Sequence, residues 1–255
     1  MIGRPGFATP DLSSLVRHAA SDLAGQPNLQ IEGAHPAAGN WIFAPPGFRP
    51  PFNLRIVFNA KTSGNVIVFA EGAMPFGTIK LAGQDALLVF GGDMRFPSHF
   101  DVNINGRDNT FFWGRYGSSN GLHANIEGPG CGVVIGEDCM VAKGASIYTS
   151  DVHPVIDMDT SEWFNPPGDV VVEPHVWLGM EALILKKTAI GFGAIVGARS
   201  LVTRDVPRRA LVSGSPAKVR RTNVSWLRPG VPNPRLIEEL KATEAAFLAG
   251  HAESS

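Results

Sequence analysis

Cysteine is scarce here, at two in 255 residues, so no dense disulfide framework can hold the fold. Cys131 and Cys139 read as two buried thiols in a reducing compartment, with a disulfide between them as the lesser alternative. Long apolar runs are also missing. No stretch reaches the roughly twenty apolar residues of a membrane span. The opening MIGRPGFATPDLSSLV holds no apolar run of signal-peptide length, and the expectation is a cytoplasmic protein without membrane insertion. Excess charge is absent too, since 22 Lys and Arg face 23 Asp and Glu for a net charge of -1. Basic patches with interleaved aromatics do not occur, which argues against nucleic acid as a partner. At 44% apolar residues the chain is not disordered either, and it is long enough for one large core with small appendages.

What the chain does have is turns and a period. Its 29 glycines and 20 prolines lack the every-third-residue spacing of collagen. Between 170 and 207, counting in sixes from Val172 lands on Leu178, Ile184, Ile190, Val196 and Val202. Two residues before each aliphatic stands a small or β-branched residue: Val170, Val176, Ala182, Thr188, Ala194 and Ser200. Neither a helix nor a flat strand has that period. It is the hexapeptide repeat of a parallel β-helix, in which three short strands close one triangular coil of eighteen residues and the aliphatics stack inside.

A looser repeat precedes it from about 54. Aligning NVIVFAEG, ALLVFGGD, NTFFWGRY and CGVVIGED places Phe69, Phe90, Trp113 and Ile135 at one point of successive wider coils, the extra residues falling at polar corners 83–85, 106–109 and 128–130. Ile135, Val141 and Ile147 resume strict sixes, and the next position is His153, where an aliphatic was due. Residues 154–169, rich in Pro, Asp and Asn, should loop out before the coil resumes. Ahead of the repeat, Thr9-Pro10-Asp11 followed by Leu12, Leu15, Val16, Ala19 and Leu23 predicts a short amphipathic helix ending at Gly25. The six prolines of 26–53 predict an extended connector without regular structure. After the basic stretch SGSPAKVRR, Asn233-Pro234 opens a C-terminal helix that would cap the solenoid or pack on a neighbouring subunit.

SDVHP, the loop, HVWLG, IGFGAIVGARSLVTRDVP and SGSPAKVRR together resemble the hexapeptide-repeat acyltransferases, and within them the bacterial sugar and polysaccharide O-acetyltransferases. The likeness is specific over about 133–221. It implies an all-β fold, a left-handed parallel β-helix with short N-terminal and C-terminal helices. The chain then divides into an N-terminal helix and Pro-rich extension (1–53), the β-helix with its loop insertion at 154–169 (54–207), and a basic segment and helix (208–255).

The resemblance makes His153 the general base that takes a proton from a substrate hydroxyl attacking acetyl-CoA. The residues agree, because an imidazole titrates near working pH and a ring in a row of aliphatics has no packing reason to be there. Asp151, Asp157 or a backbone carbonyl would orient its other nitrogen. Trp177 matches the tryptophan that walls the thioester end of the CoA groove, though it can equally pack on the outer β-helix face. A backbone N–H near Gly179 or Met180 would meet the oxyanion. Ala198 and Thr203 match CoA-contact positions. Arg204 stands where the family commonly has Lys, and Lys218 and Arg221 match the residues holding the 3′-phosphate end. His123 and Asn125, one coil before His153, are candidate acceptor contacts.

The expected function is acetyl transfer from acetyl-CoA to a sugar hydroxyl of a surface polysaccharide or its precursor, by a homotrimer with sites between subunits. The alternatives are N-acetylation of an amino sugar, including a nucleotide-linked one, and a non-catalytic β-helix scaffold. His99, His123 and His175 raise a zinc carbonic anhydrase of the same fold, but that fold's ligand pair lies five residues apart and no two histidines here do, so no metal is expected.

Overall fold

The structure is a computed structural model that describes residues 10–252 except 24, 34 and 35. Three sheets, here faces A, B and C, form the sides of a parallel β-solenoid. Among the described residues face A has eight strands, from Val16–Ala19 to Thr188–Ile190; face B has eight, from Leu29–Glu32 to Leu201–Val202; face C has six, from Ser118–Ser119 to Lys218–Thr222.

The six-residue period lives in the stacking. Val172 pairs with Ile190, Leu178 with Val196 and Ile184 with Val202, each eighteen residues on. All six aliphatics of this row are at most 1% exposed, and the smaller residues two positions earlier are buried beside them. The wider coils keep the register expected of them, with Phe69 beside Phe90, Phe90 beside Trp113 and Trp113 beside Ile135. Their added length enters the strands of face B, which grow to Pro75–Leu81 and Ser98–Asn105, and the B–A corners, where Asp85 and Asp108 take a left-handed backbone. Asn65 lies fully buried at that corner, its Nδ2 donating to Asn40 Oδ1 at 2.8 Å and its Oδ1 accepting from Ala86 N. The corner thus satisfies polar groups inside the coil. Ile135 meets Val172 across the insertion, so the loop is an excursion from an otherwise continuous stack.

Two N-terminal expectations are corrected. Thr9 lies outside the described residues, and among the described residues of 10–25 there is no α-helix. Leu12–Ser14 and Ala20–Leu23 are 3-10 turns, and Val16–Ala19 is a strand antiparallel to Trp41–Ala44. The first coil of face A leaves an open strand edge, and covering it outweighs a modest helical pattern. The connector 26–53 is likewise structured. Leu29–Glu32 and Trp41–Ala44 pair in parallel with Leu54–Phe58 and Val66–Phe69, so the solenoid begins at Leu29 rather than at 54. Its prolines fall outside these strands, where no ladder donor is required.

At the other end Ala210–Ser213 adds a parallel strand to face C, and Lys218–Thr222 turns back against it. The turn between them covers the core end through Ala217, whose N–H donates to Leu201 O. The helix Pro234–Ala252 starts as expected, with Asn233 Oδ1 accepting from Arg235 N at 2.9 Å. It lies along the flank instead of over the open end, anchored by Phe247 against Phe192 and by Arg209 with Glu244. A cavity of about 700 Å³ lies beneath it.

Candidate active site

His153 stands where the chain leaves the coil. After Ala145–Tyr148 the Thr149 side chain turns inward, its Oγ1 accepting from Glu127 N at 2.8 Å and donating to Glu127 O at 2.9 Å. The chain then swings out through a tight turn in which His153 N donates to Asp151 O at 2.7 Å. Val152 sits at its centre with φ 67°, an unfavourable backbone for a β-branched residue that something outside the turn must hold.

Asn165 and Lys186 hold it. Asn165 Nδ2 donates to Asp151 Oδ2 at 2.8 Å and to His153 O at 3.1 Å, while its Oδ1 accepts from Val155 N and Trp163 Nε1. Lys186, one coil above, donates to Asp151 Oδ2 and to Asn165 O. The Lys186 ammonium, followed by the Asn165 amide, keeps the Asp151 carboxyl below the usual carboxylate range. No sequence motif pointed to either residue. Extending the register Ile147 to Ile184 by two places Lys186 over Thr149, but the loop's return past Asn165 is a matter of tertiary geometry.

Asp151 Oδ2 takes the bonds from Lys186 and Asn165, and the carboxylate stays 45% exposed. Asp157 is occupied as well, accepting from Asp159 N and Thr160 N within its own loop. The His153 side chain is exposed on the rim of a recess of about 350 Å³ that it shares with Trp163 and Asn165. A second groove, of about 550 Å³, crosses face B from Glu181 and Ala182 to Asp151 and Val152, over Tyr148 and Leu183.

That groove links two corners of the prism. Asp151, His153, Thr203 and Arg204 lie at the B–A corner; Gly179, Met180 and Ala198 lie at the C–B corner, with Trp177 beside them on face C. Trp177 is 37% exposed and 6.3 Å from the buried Trp226, so it packs on the outer face and still presents a ring to the outside. Gly179 is corrected as an oxyanion donor, since its N–H already donates to Val196 O at 2.8 Å. What it provides is room: a Cβ there would lie 2.6 Å from Val196 O. Met180, Ala198, Thr203, Arg204, Lys218 and Arg221 are all exposed. His123 and Asn125 point outward from face B, in register with Ser146 and Tyr148.

The three histidines of the zinc reading are far apart in role. His123 Nδ1 faces Asp101 at 3.2 Å, and the His99 ring lies tilted against Phe76 at 5.1 Å. His175 is buried at the A–C corner, its ring nitrogens facing Asp138 at 2.8 Å and the Trp226 carbonyl at 2.9 Å, its plane 4.3 Å from the Trp226 ring. Arg228 Nε donates to the same Asp138 at 3.0 Å. This cluster clamps the segment after the solenoid. No group of three or more metal-ligating side chains is present among the described residues. Cys131 and Cys139 are free and buried, and burial pushes the Cys139 thiol up to about 12.

The chain is a parallel β-solenoid built on a six-residue repeat, and over part of its length its sequence is similar to known acetyltransferases. The chain is 37% identical over 98 residues to the polysialic acid O-acetyltransferase of Escherichia coli O1:K1 / APEC, covering 38% of this chain and 32% of that one. It is 33% identical over 106 residues to a chloramphenicol acetyltransferase of Agrobacterium fabrum, covering 35% and 51%. The chain therefore spans about a third to a half of these curated relatives. No protein-family model matches it. In fold it is similar to the crystal structure of the polySia specific acetyltransferase NeuO, with a TM-score of 0.73 and 22% identity over 88% of this chain and 94% of that one.

Proposed function

We propose that the protein is a cytoplasmic acetyltransferase that moves an acetyl group from acetyl-CoA to a sugar hydroxyl of a surface polysaccharide or its precursor. The observation that carries this reading is the pairing of corners. An exposed histidine on a tethered turn stands at one corner of face B, with Thr203 and Arg204 at the same corner, and Met180, Ala198 and Trp177 stand at the other, with a groove between.

In this mechanism neutral His153 takes the proton as the sugar oxygen attacks the thioester carbonyl and the new C–O bond forms. The oxyanion accepts a hydrogen bond from the Met180 N–H. The C–S bond then breaks, and the proton passes from His153 to the departing sulfur, leaving an O-acetyl ester and CoA. Lys186, Asp151 and Asn165 position the turn. Trp177 walls the thioester end, Ala198 and Thr203 line the pantetheine, and Arg204, Lys218 and Arg221 face the nucleotide phosphates. His123 and Asn125 contact the acceptor.

On one chain His153 and the Trp177 corner are separated by the width of face B. A homotrimer would bring the Trp177 corner of one subunit to the His153 corner of the next. A fully active monomer by light scattering and assay would refute that assembly. The chemistry is tested with labelled acetyl-CoA and a panel of sugars and amino sugars. A base-labile ester is expected, whereas a base-stable amide would give the reaction to an amine. His153→Ala should lower turnover by about 10² to 10⁴ and leave the melting temperature unchanged, because the exposed ring fills none of the core. Near-native turnover in that variant would refute His153 as the base, and no transfer by the native protein to any acceptor would favour a scaffold.

A further inference from the structure

The faces of the solenoid differ in what they turn outward. Face A presents Val68, Val89, Phe112 and Val134, apolar and buried. Face C presents Met140, Trp177 and Ile195. Face B is polar over its middle coils. In register, Asp101, His123 and Ser146 form one outward row and Asn103, Asn125 and Tyr148 the next. These side chains order one another: Asp101 Oδ2 lies 3.2 Å from His123 Nδ1, the His123 ring 5.6 Å from that of Tyr148, and Asn125 Nδ2 donates to Glu127 at 3.1 Å.

One border of this strip is aromatic. Phe52, which is 54% exposed, meets Phe76 at 5.2 Å, and Phe76 meets His99 at 5.1 Å. One residue beyond the paired strands, the same register carries this border on to Gly121 and Gly144, so the wall falls away at the coil where the groove opens. The strip runs into that groove at Ser146 and Tyr148, which share it with Asp151 and Val152 beside His153.

We propose that this strip is the acceptor track, on which a neutral glycan chain lies along the solenoid axis and feeds one residue to His153. The proposal rests on the acetyl-transfer reading and names its substrate class. Coils repeat about every 4.8 Å, so each offers a fresh set of donors and acceptors at a spacing comparable to one sugar residue. Ordered amides, an imidazole and a phenol suit hydroxyl groups, and the aromatic border suits the apolar face of a pyranose ring. The charge on the strip decides against a polyanion, since Lys80 is set against Asp101 and Glu127 and leaves no cationic excess. A protein partner would call for an apolar centre, which the strip lacks.

The test is titration calorimetry of the full chain with cello- and chito-oligosaccharides from the dimer to the hexamer, and with polysialic acid. Acetyl transfer from labelled acetyl-CoA is followed on the same acceptors. Affinity for at least one neutral ladder should rise with length and level off near the tetramer, matching the four coils from Pro75–Leu81 to Ala145–Tyr148. Replacing both aromatic side chains, Phe76→Ala with His99→Ala, should lower hexamer affinity by about tenfold and abolish the length dependence. Length-independent binding on both ladders, tighter binding of polysialic acid than of any neutral chain, or break-up of an oligomer by the double variant would each overturn the track. Transfer with a length-independent KM would remove the track and leave acetyl transfer standing. Length-dependent binding without transfer to any acceptor would keep the glycan strip and overturn acetyl transfer.

Discussion

Lys186→Met tests whether the His153 turn is held from outside its own coil. Methionine keeps most of the apolar stem of lysine but removes the ammonium that donates to Asp151 Oδ2 and Asn165 O. Lys186 is 15% exposed and Asp151 is 45% exposed, so water can replace the lost donor on the carboxylate side. The loss is then nearer a surface pair than a buried one, about 1 kcal/mol. That free energy shifts the balance between the ordered and opened turn by about fivefold at most. Turnover should fall by no more than this, with the KM for acetyl-CoA and the melting temperature unchanged, and Lys186→Arg should restore part of the loss. Steady-state kinetics with a saturating acceptor read it out. The sign with pH also follows. The Asp151 carboxyl is depressed, so the tether is intact above the ordinary carboxylate value of about 4 and is lost as pH falls through the depressed one. Native and variant rates should therefore converge in acid. A loss as large as that of His153→Ala would put Lys186 on the reacting atoms, and no loss at all would show that Val152 is held without it.

Neutralising Lys218 and Arg221 together should weaken acetyl-CoA more than acetyl-pantetheine, because only the former carries nucleotide phosphates, and equal loss for both donors would make these residues structural. Burial alone would raise the Asp138 carboxyl, but the His175 and Arg228 bonds outweigh it and hold it below the usual range. Asp138→Asn should thus cost about 3 kcal/mol near neutral pH. The gap in melting temperature should close as acid protonates the native residue through its depressed value, and a gap that persists undiminished in acid would refute this account.

The solenoid was legible because its code is local and repeated. Each coil must bury an aliphatic at the same point, so Val172 to Val202 and Phe69 to Ile135 report their own stacking partners. The first coil was not legible: Leu29–Glu32 and Trp41–Ala44 are short, separated by prolines, and recognisable only once the next coil lies beside them. The N-terminal pattern misled for the same reason, since an open sheet edge is invisible to periodicity.

The sequence by itself determined the coil, its inward ladder, the break at His153 and the excursion that follows, because each is a departure from or adherence to a six-residue count. Only the tertiary structure decided the surroundings of that histidine. Asn165 and Lys186 reach Asp151 from 14 and 35 residues away and tie the turn to the loop and to the next coil. Gly179 gives its N–H to the next coil, a commitment the motif HVWLG does not reveal. Side-chain commitments of this kind depend on which group arrives first within hydrogen-bonding distance, and in a solenoid the coil above competes on equal terms with the residue next door.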